Sequence, residues 1–353
     1  MKLALEQAKK SLGNTKKNPA VGCIITKNNQ IISAGSTGYN GTPHAEINAL
    51  NFSKINSQNC NLYVTLEPCS HYGKTPPCVK YIIKKKIKKV FFSIKDPDLR
   101  SFDKSKNLFN KERISTNVGL LKKEVEIFYR SYLKSKSDNL PFVTSKIALS
   151  KDFYTINKNK KWITNIYSRG RVHLLRSYHD CIITSSKTIM YDNPRFTCRI
   201  EGLKDKSPSR IILDRKLKIK IKSKIIKEAK YYPTIIFYNE TKKRKINLLK
   251  KFKIKFYKIP LDKDGNLNLK SSLIKAKELG FSRIFLESGI KLTTSFLAKN
   301  LIDDFIMMIS NHKLGKNGGG NIKNYLNKFL RGKRKKIEKV NLFGEKLLSY
   351  KLK

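Results

Sequence analysis

The feature that most constrains this chain is a set of three soft donors and one carboxylate, placed at the joints of strands and helices. Thr42-Pro43-His44-Ala45-Glu46 leads into an apolar run ending at Leu50. Thr42 is expected to cap a helix there, with Pro43 at its first position. Asn61 to Leu66 alternates like a strand and passes into Glu67-Pro68-Cys69, and Thr75-Pro76-Pro77-Cys78 reads as a second helix opening. One histidine and two cysteines fill three of zinc's four tetrahedral positions and leave the fourth for water, the layout of a catalytic site. Helix N-termini stabilise thiolates. Zinc brings the pKa of its water toward neutrality. Glu46 is not needed as a ligand and is suited to carry a proton from that water to a leaving amine.

His-x-Glu followed by Pro-Cys and a second cysteine is the signature of zinc deaminases, in which the two cysteines usually stand two residues apart. Here eight residues separate Cys69 from Cys78. A net charge of +50 over 353 residues raises a rival reading, a base deaminase that binds nucleic acid. The cysteine spacing argues against it. So does the scatter of the lysines, since runs such as Lys84-Lys85-Lys86 and Arg331-Gly332-Lys333-Arg334-Lys335-Lys336 alternate with apolar residues as solvated faces do. The expected partners are phosphorylated pyrimidines captured by a positive field, with no nucleic acid. No apolar run reaches membrane length, and Met1-Lys2-Leu3-Ala4-Leu5-Glu6 meets charge at once. The expectation is a soluble, cytoplasmic protein without membrane contact. Such a chain needs no disulfides. Cys23, Cys181 and Cys198 read as core or boundary residues, and Cys60 as incidental.

The chain is long enough for two cores, and both halves alternate strand and helix signals, an α/β class. In the first half, Ala20–Thr26 and Gln30–Ala34 read as a hairpin pair, Pro43–Phe52 as a helix and Asn61–Leu66 as a strand. Val79–Lys86 reads as a helix and Lys89–Ile94 as a strand. Asp96–Ser115 reads as irregular and Asn117–Lys136 as one long helix. A polar stretch before Leu140-Pro141 places the boundary between domains 1–140 and 141–353. In the second half, strand patterns fall at Phe142–Leu149, Asp180–Thr184, Arg210–Leu213, Thr234–Tyr238, Arg283–Leu286 and Phe305–Ile309. Gly318-Gly319-Gly320 reads as a loop.

Thr65-Leu66-Glu67-Pro68-Cys69-Ser70-His71-Tyr72-Gly73-Lys74-Thr75-Pro76-Pro77-Cys78 closely resembles the bifunctional deaminase/reductase family of riboflavin biosynthesis. Asn18-Pro19-Ala20-Val21-Gly22-Cys23 fits it as well. So, in order, do Ser145 to Asp152, Lys161-Trp162-Ile163-Thr164, His173 to Arg176, Thr188 to Pro194, Phe196 to Arg199, Arg210 to Asp214 and Glu287-Ser288-Gly289. The resemblance implies a cytidine-deaminase-like domain followed by a dihydrofolate-reductase-like one. The first would remove the 2-amino group of 2,5-diamino-6-ribosylamino-4(3H)-pyrimidinone 5′-phosphate; the second would reduce the ribosyl side chain of the product with NADPH. It implies Asn18, Lys74 and Asp96 as deaminase substrate contacts. In the reductase it implies Lys146, Arg176, Phe196, Arg199 and Glu287 toward substrate, and Ala148, Trp162, Thr164, Thr188, Asp192 and Gly289 toward the cofactor. His71 is left out of the ligand set. The surface alternative for Arg176 and Arg199 is a pair of exposed salt bridges, and a homo-oligomer is expected. The chain departs from the family at Asp98, which adds charge beside a phosphosugar, and at Lys160 and Asn193. It departs again at Phe153, where the family has glycine and a phenylalanine is not expected to take a positive φ. These departures raise a second reading, an active deaminase fused to a silent reductase domain.

Overall fold

The computed structural model describes residues 1–52, 56–73, 75–240 and 243–353. The chain divides into two units, Met1–Asn139 and Leu140–Lys353, so Leu140 goes with the second. The first runs α1 (Lys2–Ser11), β1 (Gly22–Lys27), β2 (Gln30–Ser36), α2 (Ala45–Phe52), β3 (Asn61–Leu66), α3 (Cys78–Lys84), β4 (Lys89–Ile94), α4 (Lys104–Lys111), β5 (Ser115–Val118) and α5 (Lys122–Ser137). Its sheet has the order β2-β1-β3-β4-β5. The hairpin and the β1–β3 pair are antiparallel, and β3, β4 and β5 are parallel. The strands supply buried Ile25, Leu62, Val64, Val90 and Phe92 to one core. Two glycines let helices lie directly on the hairpin. A Cβ on Gly22 would stand 1.9 Å from the Ala4 carbonyl oxygen of α1, and one on Gly35 would stand 2.3 Å from that of Ala45 in α2.

Three expectations fail in this unit. The Asn48 amide donates to the His44 carbonyl at 3.0 Å, so His44 caps α2 and Thr42-Pro43 lies outside it, joined by a cis bond. The segment expected to be irregular contains α4, which buries Phe109. The long helix begins only at Lys122, because Ser115–Val118 pairs with β4 as an edge strand.

The second unit runs β6 (Phe142–Leu149), β7 (Tyr154–Asn157), α6 (Ile166–Ser177), β8 (Cys181–Ser185), α7 (Ser186–Asp192), β9 (Ser209–Leu213), α8 (Lys224–Lys227), β10 (Thr234–Tyr238), α9 (Lys243–Lys250) and β11 (Lys255–Lys258). It continues through α10 (Leu269–Glu278), β12 (Arg283–Glu287), α11 (Ile290–Ala298), β13 (Asp304–Ile309), β14 (Gly318–Asn321), α12 (Lys323–Leu330), β15 (Arg334–Ile337) and β16 (Lys346–Lys351). The main sheet has the order β11-β10-β9-β8-β12-β6-β13-β16-β15. Strands β11 through β13 in that order are parallel, and β16 closes against β13 antiparallel. Its two faces carry separate cores, one around Val143, Ile183 and Leu286 and one around Ile182, Phe285 and Met308. Strands covered on both faces read as continuous apolar runs, which is why β8, β9, β10 and β12 are plain in the sequence.

Two expectations fail here too. Gly318–Asn321 is not a loop but strand β14, paired with β7. Phe153 does take a positive φ, +68°. Its amide donates to Ser150 O at 3.0 Å, its carbonyl accepts from Ile322 N, and its ring packs on the core. Those contacts offset a left-handed cost of about 1–2 kcal/mol. Among the described residues no helix is long and apolar enough to cross a membrane.

Candidate functional site

In the first unit, β3 ends in a turn that delivers Cys69, and α3 opens on Cys78. The Val79 amide donates to the Cys69 carbonyl at 3.2 Å, and the Cys78 amide donates to Cys69 Sγ at 3.3 Å. The packing of α2 on Gly35 brings in His44, whose Nδ1 lies 3.2 Å from Cys78 Sγ and 3.5 Å from Cys69 Sγ. The three donor atoms all fall within 4.8 Å of one another. A tetrahedral zinc with bonds of about 2.0–2.3 Å needs ligand atoms roughly 3.5 Å apart, so the donor set fits zinc in both chemistry and spacing. The Cys69 thiol is pulled down to about 4, first by its hydrogen bond with Cys78 and, against the cost of burial, by that with His44. Glu46 is 4 % exposed, and burial, with the Cys69 charge, raises its carboxyl to about 7. A carboxyl poised near neutrality can both accept and return a proton.

Around this cluster, Asn18 Nδ2 donates to the Gly41 carbonyl at 3.0 Å, fixing the turn before His44 and leaving Oδ1 for a donor. Asp96 is buried and accepts from Tyr132 Oη at 2.8 Å and from the Asp98 amide. His71 is no ligand; its Nδ1 lies 2.8 Å from Ser101 Oγ. Lys74 lies outside the described residues. Asp98 does not leave a free charge in its loop. It binds Arg100 Nη2 at 2.7 Å and Lys136 Nζ at 3.0 Å, and these hydrogen bonds, Arg100 first, hold its carboxyl far below the ordinary range.

In the second unit, β6 and β12 pair Lys146 with Glu287. Arg176 of α6 grips Glu287 in a two-pronged pair, Nε to Oε2 at 2.9 Å and Nη2 to Oε1 at 2.8 Å, and its Nη1 donates to the Thr197 carbonyl at 3.0 Å. This pair is buried rather than exposed, with side chains 10 % and 12 % accessible. Lys146 Nζ stands 3.7 Å from Glu287 Oε1. Burial resists the Glu287 charge, but the two cations outweigh it and hold the carboxyl at about 2. Burial lowers Lys146 despite Glu287. Arg199 is exposed as a residue, but partial burial of its guanidinium, and then the charges of Arg176 and Arg195, lower its pKa. Phe196 is buried at φ +57°, with the Arg176 guanidinium 5.7 Å from its ring.

Asp192, at the end of α7, is in electrostatic range of Lys161, Lys146 and Glu287. Thr188 Oγ1 accepts from the Gly289 amide at 3.3 Å, which joins the starts of α7 and α11. Gly289 caps α11, and a Cβ there would meet nothing nearer than Thr188 Oγ1 at 4.0 Å. That open, side-chain-free helix start suits a cofactor phosphate. Trp162 is 55 % exposed, under the Arg169 guanidinium at 4.9 Å. Thr164 is buried, and its carbonyl takes Arg169 Nη1 at 2.7 Å. Ala148 lies on the strand face that Lys146 shares, opposite Met308 of β13. His173, quoted in a family motif but given no role in the sequence, contacts Arg176 Nη1 and the Arg199 amide through Nδ1. The signal was its place three residues before Arg176 on one helix face.

Two family models match the chain: the cytidine and deoxycytidylate deaminase zinc-binding region over residues 1–94, and the RibD C-terminal domain over residues 141–346. The riboflavin biosynthesis protein RibD of Aquifex aeolicus is 32% identical over 355 residues, covering 99% of this chain and 96% of that one. The protein of the same name from Bacillus amyloliquefaciens is 33% identical over 307 residues, 86% of this chain and 81% of that one. A solved Thermotoga maritima structure described as a diaminohydroxyphosphoribosylaminopyrimidine deaminase/5-amino-6-(5-phosphoribosylamino)uracil reductase superposes with a TM-score of 0.84. It is 28% identical, over 99% of this chain and 97% of that one.

Proposed function

Because the chain belongs to the bifunctional deaminase/reductase family of riboflavin biosynthesis, we propose that it performs the two reactions in sequence on one phosphorylated pyrimidine. Its first unit hydrolyses the 2-amino group of 2,5-diamino-6-ribosylamino-4(3H)-pyrimidinone 5′-phosphate. Its second reduces the ribosyl side chain of 5-amino-6-(5-phosphoribosylamino)uracil. The observation that carries the reading is the convergence of His44, Cys69 and Cys78 within ligand distance beside the buried carboxylate of Glu46.

Zinc held by those three residues would supply an acidified water. With zinc bound, Glu46 would take a proton from the attacking water and pass it to the leaving amino group, which departs as ammonia. Asn18 presents Oδ1 to a ring N–H, and Asp96 is assigned to the ribose phosphate end, the role the family resemblance also gives Lys74. NADPH supplies the hydride for the second reaction, and the protein's part is orientation and electrostatics. Thr188, Gly289, Trp162, Thr164, Ala148 and Asp192 would hold the cofactor. Lys146, Glu287, Phe196 and Arg199 hold the substrate, with Arg199 toward its phosphate. Arg176, whose guanidinium is committed to Glu287 and Thr197, keeps Glu287 ionised and oriented. The same reading takes the chain as a cytoplasmic homo-oligomer, checked by sedimentation.

The experiment is a coupled assay on zinc-loaded full chain with the diaminopyrimidinone ribosyl phosphate, with and without NADPH. Ammonia release together with substrate-dependent loss of NADPH absorbance is expected. Ammonia alone would replace the reading with a deaminase carrying a silent second unit. Neither would overturn the substrate assignment.

A further inference from the structure

Glu67 stands between the metal turn and the loop that carries Asp96, and no step above uses it. It is 3 % exposed, the first residue after β3, and its amide donates to the Ile94 carbonyl at 2.9 Å. A buried carboxylate is costly unless its oxygens are filled, and these are filled entirely from residues 96–105, the loop after β4 together with the first turn of α4. Oε2 accepts from the Asp96 amide at 3.1 Å and the Asp103 amide at 3.2 Å. Oε1 accepts from the Ser105 amide at 3.2 Å and Ser105 Oγ at 2.8 Å. The two ends of the 96–105 loop are thereby gathered onto one side chain, two residues before Cys69. From inside that loop, Ser101 Oγ reaches His71 Nδ1 and the Ser70 amide, and the Arg100 carbonyl accepts from Ser70 Oγ. The loop is therefore tied to Ser70 and His71, the first residues after Cys69, and its own charge at Asp98 is closed by Arg100 and Lys136.

We propose that Glu67 is a positioning residue for deamination: it sets the 96–105 loop, and with it Asp96, at the height of the zinc ligands, and so governs substrate affinity. The proposal rests on the deaminase reading of this site. Hydrogen bonds from backbone amides to a charged acceptor are roughly twice as strong as neutral ones. In Glu67→Gln the new NH2 meets an amide donor where an acceptor is required, so one pair of bonds is lost and the side-chain volume is kept.

The test uses the zinc-loaded full chain and two readouts. In hydrogen–deuterium exchange, Glu67→Gln is expected to expose the amides of Asp96, Asp103 and Ser105 at least tenfold faster, with β3, β4 and the second unit unchanged. With the diaminopyrimidinone ribosyl phosphate, KM for ammonia release rises about tenfold while kcat stays within about threefold and zinc stays bound. Ser105→Ala, which removes one of the four bonds and keeps the carboxylate, shifts both readouts in the same direction by less, and it carries the test should Glu67→Gln fail to fold. Unchanged exchange in the loop overturns the proposal. So does a loosened loop with unaltered KM, or loss of zinc with kcat and KM falling together, which would make Glu67 a support of the metal turn alone. A wild-type chain that releases no ammonia from this compound sinks the functional reading, while the exchange experiment still decides whether Glu67 holds the loop.

Discussion

At the scale of single residues, the site depends on groups whose protonation the fold has set. Glu46→Gln keeps the shape of the side chain and removes its proton acceptor. Ammonia release should fall roughly 10²–10⁴-fold, the usual weight of a general acid–base group, while zinc content by metal analysis stays at the wild-type level. Activity within a factor of ten of wild type would take Glu46 out of the proton path. His179 offers a test of the second unit away from any metal. It is buried, its ring stacks on Phe285 at 4.9 Å, and its Nδ1 sits 2.7 Å from the Leu175 carbonyl. Burial, with Arg283 adding to it, lowers its pKa to about 3. The folded chain therefore refuses a proton that the unfolded chain binds below about 6.5. Stability is full above that value and declines as pH falls from about 6.5 toward 3, by up to about 1.4 kcal/mol per pH unit for this one proton. Denaturant midpoints at pH 7.5, 6 and 5 read the slope, and NMR of the imidazole reads the cause. A His179 that titrates near 6.5 in the folded protein would refute the assignment.

At the scale of elements, the zinc site is placed by helix α2 lying on the hairpin, and Gly35 permits it. A Cβ at Gly35 would press on the Ala45 carbonyl and, at 2.5 Å, on the Ala49 amide. Those are backbone atoms that cannot rotate away, so Gly35→Ala must displace the helix that carries His44 and Glu46. The expected result is a cost of about 1–3 kcal/mol, as for overpacking, with at least tenfold weaker zinc affinity by chelator competition and an unchanged reductase rate. Zinc affinity equal to wild type would mean that α2 is free to shift without moving its ligands. This dependence also explains what was readable beforehand. Strands β3, β4 and β10 appear at the expected residues because their apolar residues are spaced for burial. The two cysteine turns were legible because Pro and Cys mark the joints. What could not be read is structure made by distant partners. Strand β15, Arg334 to Ile337, is exposed throughout and exists only because β16 pairs with it. Strand β14 is three glycines and an asparagine, held by β7, with Gly318 closed over the Tyr154 ring. The four bonds on Glu67 and the Arg176 pair with Glu287 join residues far apart in sequence, so the motifs named the residues without revealing which partner each would take.

At the scale of the whole molecule, charge is the property left to account for. Lysine and arginine number 76 against 26 acids, so even complete pairing would leave about two thirds of the cations without an acidic partner. Several of the acids are already committed to local structure, as Asp98 is to Arg100 and Lys136. Such an excess repels itself in the compact state and attracts phosphorylated substrates over a distance. Both effects are screened by salt, since the Debye length falls from about 20 Å near 20 mM to about 8 Å at 150 mM. The two effects then move in opposite directions. Raising NaCl from about 20 mM to about 300 mM should raise the unfolding midpoint by a few degrees as self-repulsion is screened, and should raise KM for the phosphorylated pyrimidine severalfold while kcat holds. Sulfate is the wrong salt for the comparison, because it also strengthens apolar burial and competes as an anion. A KM flat across the NaCl series, alongside the rise in midpoint, would assign the lysines to composition alone and leave substrate capture to Arg199 and the other groups that touch it.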